Sequence, residues 1–341
     1  MPKITVMPSM ALDAICYFEH RFLHDKTHPK QFEFITKINR LCGDKLGSEF
    51  ISGSTLCLAL TTFADNAHFD SMSLDELAQL FKDAEKFRST VQSKVCDGFT
   101  ASYLFPALDY LAEGLAATYA ENIEIIKNAG FEKLWENDLF PLIQEKIHEK
   151  ETVYREVKLD CISADIQKLK QCPPIGDVKI YVSALSYPVA FSLYGGKFLE
   201  NIGGGEGVGM ICHELMHGFA TEKVTNLYLE YVKSDPYLAE KHGILTGEMQ
   251  SGDEEEFVMA AEYYLRLKHN GESKRKLLTK IRYEYDDCTP VAFFLFDLLS
   301  RESETPNGYV KWLENIFENK KLPKVDAESC LNDLTRNGDS L

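Results

Sequence analysis

The most pointed chemistry in the chain sits in three side chains within five residues: His213, Glu214 and His217, in the run Val208-Gly-Met-Ile-Cys-His-Glu-Leu-Met-His-Gly-Phe. On a helix, positions i and i+4 project from one face about a turn apart. Both imidazoles then reach one tetrahedral Zn²⁺, and the intervening carboxylate lies beside it as a base. From Gly207 to Ala220 no other polar side chain occurs, so the spacing predicts a helix that is apolar nearly all round and buried. Taking two imidazoles and a carboxylate out of water together costs several kcal/mol unless something pairs with them, and a divalent cation does so directly. Histidines satisfied by hydrogen bonds within a core are the bland alternative. Cys212 falls away from the histidine side and reads as core rather than ligand.

A zinc site with a hydrolytic role needs a third protein ligand and an open fourth position. Downstream, Ser251 to Arg266 holds Glu254, Glu255 and Glu256 at the start of an expected second helix. Three glutamates in a first turn also complement the helix dipole, and Ser251 with Glu254 has the spacing of a capping box. On a helical wheel Glu255 shares a face with Glu262, Arg266 and His269, a charged side expected to be solvated, in which Glu262 and Arg266 form an i, i+4 pair. Glu256 shares its stripe with Ala260, Tyr263 and Leu267, so its carboxylate is expected to point to the packed side and to require a cation from elsewhere. Glu256 is therefore the expected third ligand, with Glu254 and Glu255 as alternatives.

His213-Glu214-Leu-Met-His217 followed by a ligand glutamate on a later helix resembles the gluzincin branch of the zincin metallopeptidases, the thermolysin-like superfamily. The similarity is one of motif and layout over roughly residues 150 to 270. It implies His213, His217 and Glu256 as zinc ligands, Glu214 as general base, and a substrate-binding edge strand before the active-site helix, either Tyr181 to Leu185 or Val189 to Tyr194. The chain departs from the thermolysin pattern beside the ligand glutamate: Glu255 stands where that pattern has Asn, and Ala260 where it has an acidic residue. The group that orients His213 is thereby left open.

The elements that must position these residues divide near residue 150. Up to that point apolar residues recur at three and four in Ala11 to Phe22, Phe32 to Leu41, Leu74 to Phe81 and Tyr103 to Ile126, which predicts a helical lobe over 1–150. Its His20, His24, His28 and His68 stand among charges and read as surface residues. Beyond it, Thr152 to Leu159 and Val178 to Leu185 alternate as strands do, with a Pro173-Pro174 break between them. Helices are expected from about residue 207 to the end. The expected class is α+β: mostly helical, with a zincin-like metallopeptidase region over 151–341 containing a small mixed sheet and an active-site helix. Gly203-Gly-Gly-Glu-Gly lacks the Lys-Ser/Thr of a phosphate loop and the context of a dinucleotide fingerprint, and reads as a sharp turn into the histidine helix.

Composition narrows the partners. Across 341 residues, 37 Lys and Arg stand against 53 Asp and Glu, a formal net charge of −16 that repels phosphate backbones and anionic lipid. Nucleic acid and membrane are not expected partners. Nine thinly spread cysteines without a CxxC suggest reduced thiols, and Asp13 and Glu19 interrupt any signal-peptide core, so the expected compartment is the cytoplasm. The expected activity is that of a zinc metallopeptidase acting on a peptide or protein substrate. In it Glu214 takes a proton from the attacking water and hands it to the leaving amine. The alternatives are a catalytically inactive zincin-fold protein that binds or regulates, and a hydrolase of a non-peptide amide. Tyr263, Tyr264, Tyr283, Tyr285 and His242 are the candidate donors to a tetrahedral oxyanion.

Overall fold

The computed structural model describes residues 3–22, 29–64, 69–96, 98–186, 190–193, 195–203, 207–249, 251–283, 287–323 and 326–337. The chain is mostly helical with one small mixed sheet, and it divides into two compact units. One is built from 2–156 and 176–206, the other from 157–175 and 207–341.

The first unit holds the sheet. Its strands are β1 (Ile4–Pro8), β2 (Val178–Ser183), β3 (Phe191–Leu193) and β4 (Lys197–Asn201), in the order β1-β2-β4-β3. β2 pairs in parallel with β1 on one side and β4 on the other, with Ile180 opposite both Val6 and Phe198, while β3 runs antiparallel to β4. Ile180, Tyr181 and Val182 are all fully buried, as expected of an apolar run covered on both faces. Gly195 and Gly196, both at φ +75, make the tight turn between β3 and β4 that a side chain would strain.

Around the sheet the same unit carries α1 (Met10–His20), α2 (Pro29–Cys42), α3 (Gly53–Phe63), α4 (Leu74–Lys82), α5 (Ala84–Lys94), α6 (Gly98–Tyr110), α7 (Ala116–Asn128) and α8 (Phe140–Arg155). These match the helical periodicity of the amino-terminal half. Ser9 caps α1 by accepting from Leu12 N at 3.3 Å, and Ser73 with Glu76 forms a full capping box at α4. Their core is aromatic, with Phe18 edge-on to Tyr119 and Phe34 edge-on to Phe131 at ring separations of 5.7 and 5.4 Å. Asp13 ties α1 to the sheet by accepting from Leu185 N at 2.9 Å, from Trp135 Nε1 at 2.7 Å and from the Ser183 hydroxyl.

Several sequence expectations are corrected here. Thr152 to Arg155 continues α8 instead of forming a strand: Ile143, Lys150 and Tyr154 make one buried helical stripe, and Tyr154 donates to buried Glu200 at 2.7 Å. Helical periodicity over sixteen residues outweighs a short alternation. The sheet belongs to the unit of the amino-terminal helices, completed by β1, a strand of five residues with too short a pattern to announce itself. β2 is internal, so Tyr181 to Leu185 is not an edge strand. β3 is one of the sheet's two edges, and Val189 and Tyr194 lie outside the described residues. His20 is buried, while His24, His28 and His68 lie outside the described residues.

The second unit is helical throughout its described residues: α9 (Leu159–Lys170), α10 (Val208–Met216), α11 (Glu222–Lys233), α12 (Pro236–Gly243), α13 (Glu255–His269), α14 (Lys274–Tyr283), α15 (Pro290–Leu299), α16 (Tyr309–Glu318) and α17 (Ala327–Asn337). At its centre lies α13, buried at every position from Glu255 to Arg266. α15, with Val291 to Phe296 buried, packs against it, as does α10 with Ile211, Cys212 and Met216. The Tyr309 hydroxyl donates to Phe257 O at 3.0 Å, tying α16 to the same centre. No helix among the described residues is long and apolar enough to cross a membrane.

Candidate metal centre

α10 brings His213 and Glu214 forward and stops at Met216, so His217 is the first residue past the helix, at φ −59 and ψ 155. The expected helix over 207–220 is thus shorter at its carboxyl end. The chain turns at Gly218, φ +77, a backbone state that glycine adopts without strain. Despite the break, the two imidazoles remain neighbours with ring centroids 4.9 Å apart, and His213, Glu214 and His217 each offer a donor atom within 4.8 Å of the others.

α13 supplies the rest. Glu255 Oε1 lies 3.4 Å from His213 Nε2, and Glu255 Oε2 lies 4.0 Å from His217 Nε2. Glu256, the residue favoured from sequence, turns elsewhere. It accepts from the Tyr228 hydroxyl at 2.7 Å and from Ala292 N at 2.9 Å in the core, where burial pushes its carboxyl up to about 7 despite those donors. The wheel separated the two glutamates correctly, but the face it marked as solvated is the one that meets α10. Glu255, Glu262 and Arg266 are each under a tenth exposed. Charge on a helix face signals water only when nothing else presents partners for it.

The other nitrogen of each histidine is held by a carboxylate. His213 Nδ1 is 3.1 Å from Glu262 Oε2, and His217 Nδ1 is 3.0 Å from Glu254 Oε1. An ionised carboxylate only accepts, so each Nδ1 carries a proton and donates it. In the singly protonated ring each Nε2 then offers its lone pair on the side of Glu255. Glu262 also accepts from Arg266 Nη1 at 2.9 Å, and Arg266 Nε donates to Glu272 Oε1 at 2.8 Å, so the first histidine ends a chain of alternating charge. Glu254 also accepts from Gly218 N at 3.0 Å. Its carboxylate therefore does not cap α13 with Ser251, and the expected capping box is absent.

Electrostatically the cluster asks for positive charge. Burial opposes protonation of His213, but the hydrogen bond to Glu262 and the fields of Glu255, Glu262 and Glu214 outweigh it and hold the imidazole up at about 9. Burial likewise raises Glu254, yet the hydrogen bonds from His217 and Gly218 and the His217 charge leave it below the usual carboxylate range. Two imidazole nitrogens and one carboxylate turned together, each imidazole backed by a carboxylate, form a donor set that suits zinc or a similar divalent ion.

The remaining sequence candidates are engaged elsewhere or lie beyond description. Cys212 is fully buried with its thiol pushed up by burial, consistent with a core role. Tyr264 donates to Thr305 at 3.2 Å, His242 pairs with the Tyr228 hydroxyl at 3.0 Å, and Tyr283 is exposed. Tyr263 is buried beneath the Arg266 guanidinium, 4.6 Å from its ring centroid. Tyr285 lies outside the described residues. Glu254 and Glu262 as partners of the ring nitrogens went unassigned in the sequence reading. A carboxylate seven positions after Glu255, two helical turns along the same face, was the available signal for Glu262. Comparison with protein-family models, with curated proteins and with solved structures finds no match.

Proposed function

We propose that this chain is a zinc-dependent hydrolase, and specifically a metallopeptidase of gluzincin type. His213, His217 and Glu255 hold the metal, and Glu214 is the general base. The observation that carries the proposal is the shared direction of the two Nε2 atoms toward Glu255, with both Nδ1 atoms committed to Glu262 and Glu254. Carboxylates at 214, 254, 255 and 262 gather round the two imidazoles, an excess of negative charge that a divalent cation offsets directly.

The zinc, when bound, supplies Lewis acidity at that point. Glu214 follows His213 in the chain and offers its carboxylate to the same cluster, where it takes the proton of an attacking water and delivers it to the leaving amine. Glu262 and Glu254 keep the imidazoles in the tautomer that ligates. Glu255 completes the protein's share of the ligands and leaves a position for water and substrate. The substrate on this reading is a peptide or protein amide.

The test is metal analysis of the purified protein alongside turnover of a peptide library. About one equivalent of zinc is expected, lost in His213→Ala. Glu214→Gln is expected to retain the metal while turnover falls by roughly 10²- to 10⁴-fold, the usual contribution of a positioned base. Zinc absent from the wild-type protein overturns the metal centre. Zinc present without turnover of any peptide overturns the hydrolase and leaves a metal-holding binding protein, while full turnover in Glu214→Gln removes Glu214 as the base.

A further inference from the structure

In this chain the second histidine of the motif stands outside the helix that carries the first. His217 keeps a helical φ, but its ψ of 155 turns its carbonyl and the peptide after it out of the ladder of α10, so these need partners elsewhere. Whatever grips that peptide also steadies His217 beside His213.

Two charged side chains meet there. Lys170, the last residue of α9, donates from Nζ to Leu215 O at 2.9 Å and to His217 O at 2.6 Å. Glu254, immediately before α13, accepts from Gly218 N and His217 Nδ1, both at 3.0 Å. The carbonyl of His217 and the N–H of Gly218 belong to one peptide group. That single peptide is gripped by an ammonium at its oxygen and by a carboxylate at its nitrogen, and the same carboxylate oxygen holds the imidazole. With the peptide plane fixed, ψ of His217 is fixed. With Nδ1 also fixed, so is the direction of Nε2.

We propose that Lys170 is a positioning residue for the second metal ligand: with Glu254 it clamps the His217–Gly218 peptide and so sets the geometry of the metal centre from a helix that carries none of its ligands. The inference rests on the metal reading above and adds to it a residue that the motif does not contain. A lysine that merely neutralised the carboxyl end of α10 would stabilise the fold and leave metal affinity alone. A clamp must move both.

The experiment compares Lys170→Met and Lys170→Arg with the wild type, using zinc affinity from competition with a chromophoric chelator and the visible absorption of the Co²⁺-loaded protein. Lys170→Met is expected to weaken zinc by roughly 10- to 100-fold, the range found for lost outer partners of metal ligands, and to shift the Co²⁺ bands; Lys170→Arg, which keeps a cationic donor, should recover most of both. If Lys170→Met does not fold, Lys170→Gln, which keeps a neutral donor, reads the same quantities, with zinc weakened severalfold. Wild-type affinity and an unshifted Co²⁺ spectrum in the folded Met or Gln variant overturn the clamp, whatever happens to the melting temperature, while leaving the metal centre standing. A wild-type protein that binds neither metal overturns both.

Discussion

Glu255 and Glu256 are consecutive residues in the first turn of one helix, yet their carboxylates serve different parts of the molecule. Glu255 Oε1 stands 3.4 Å from His213 Nε2, while Glu256 Oε1 accepts from the Tyr228 hydroxyl at 2.7 Å. The rotation of about 100° per residue is enough to send one toward α10 and the other toward α11 and α15.

That separation makes the first prediction. Glu255→Gln removes a proposed ligand and is expected to lower zinc affinity by more than the roughly 10- to 100-fold of an outer-partner loss. Glu256→Gln should bind zinc close to wild type, and its effect should appear in thermal stability, since it disturbs a carboxylate buried between Tyr228 and Ala292. Isothermal titration of both variants, with melting curves of the metal-free proteins, checks it. The reverse pattern would restore Glu256 as ligand.

Gly209, one turn before His213, makes the second. A Cβ built there falls 2.8 Å from Glu262 Oε1 and 3.2 Å from Arg266 Cδ and Nη1, so the glycine leaves the space in which the ion pair reaches the histidine. In an exposed helix interior, Gly→Ala stabilises by roughly 0.5–1 kcal/mol. Here Gly209→Ala should lose that gain and weaken zinc by about tenfold as Glu262 is pushed from His213 Nδ1. Chelator competition and denaturant melts read the two effects together. A more stable protein with unchanged zinc affinity would show that the contact is slack.

Asp13 makes a third prediction, in the unit that holds the sheet. Burial raises its carboxyl to about 6 in spite of the donors from Ser183, Trp135 and Leu185. Because the folded value is raised, the folded state binds more protons than the unfolded state. The stabilisation is full below the unfolded pKa near 4 and is lost as pH rises through about 6. The loss amounts to about 3 kcal/mol on the scale of 1.4 kcal/mol per pKa unit. Urea melts of wild type and Asp13→Asn between pH 4 and pH 7, followed by the fluorescence of Trp135 in a Trp312→Phe background, should show the wild type losing more stability over this range than the variant, by about that amount. Parallel curves would refute the assignment.

How much of this was legible beforehand follows from which signals are local. The triplet at 213, 214 and 217 is readable because a helical period of 3.6 brings i and i+4 together whatever surrounds them. The amino-terminal helices were readable for the same reason, their apolar stripes being long. β1 and the sheet's true membership were not, because pairing Val6 with Ile180 joins residues far apart in the chain and no local pattern records it. The choice between Glu255 and Glu256 was likewise tertiary: one wheel gives two faces, and only the packing of α10 decides that the charged one is inside.

The sequence alone determined that two imidazoles and a carboxylate would share one short segment, that acidic residues would follow on a second helix, and that the chain would be mostly helical. The tertiary structure decided which glutamate turns toward the imidazoles, which carboxylates hold their far nitrogens, and that Lys170 reaches the peptide after His217. The physical reason is range. Helical spacing is set by neighbours three and four residues apart, whereas a ligand set depends on the directions of side chains from α9, α10 and α13, which only their mutual packing fixes.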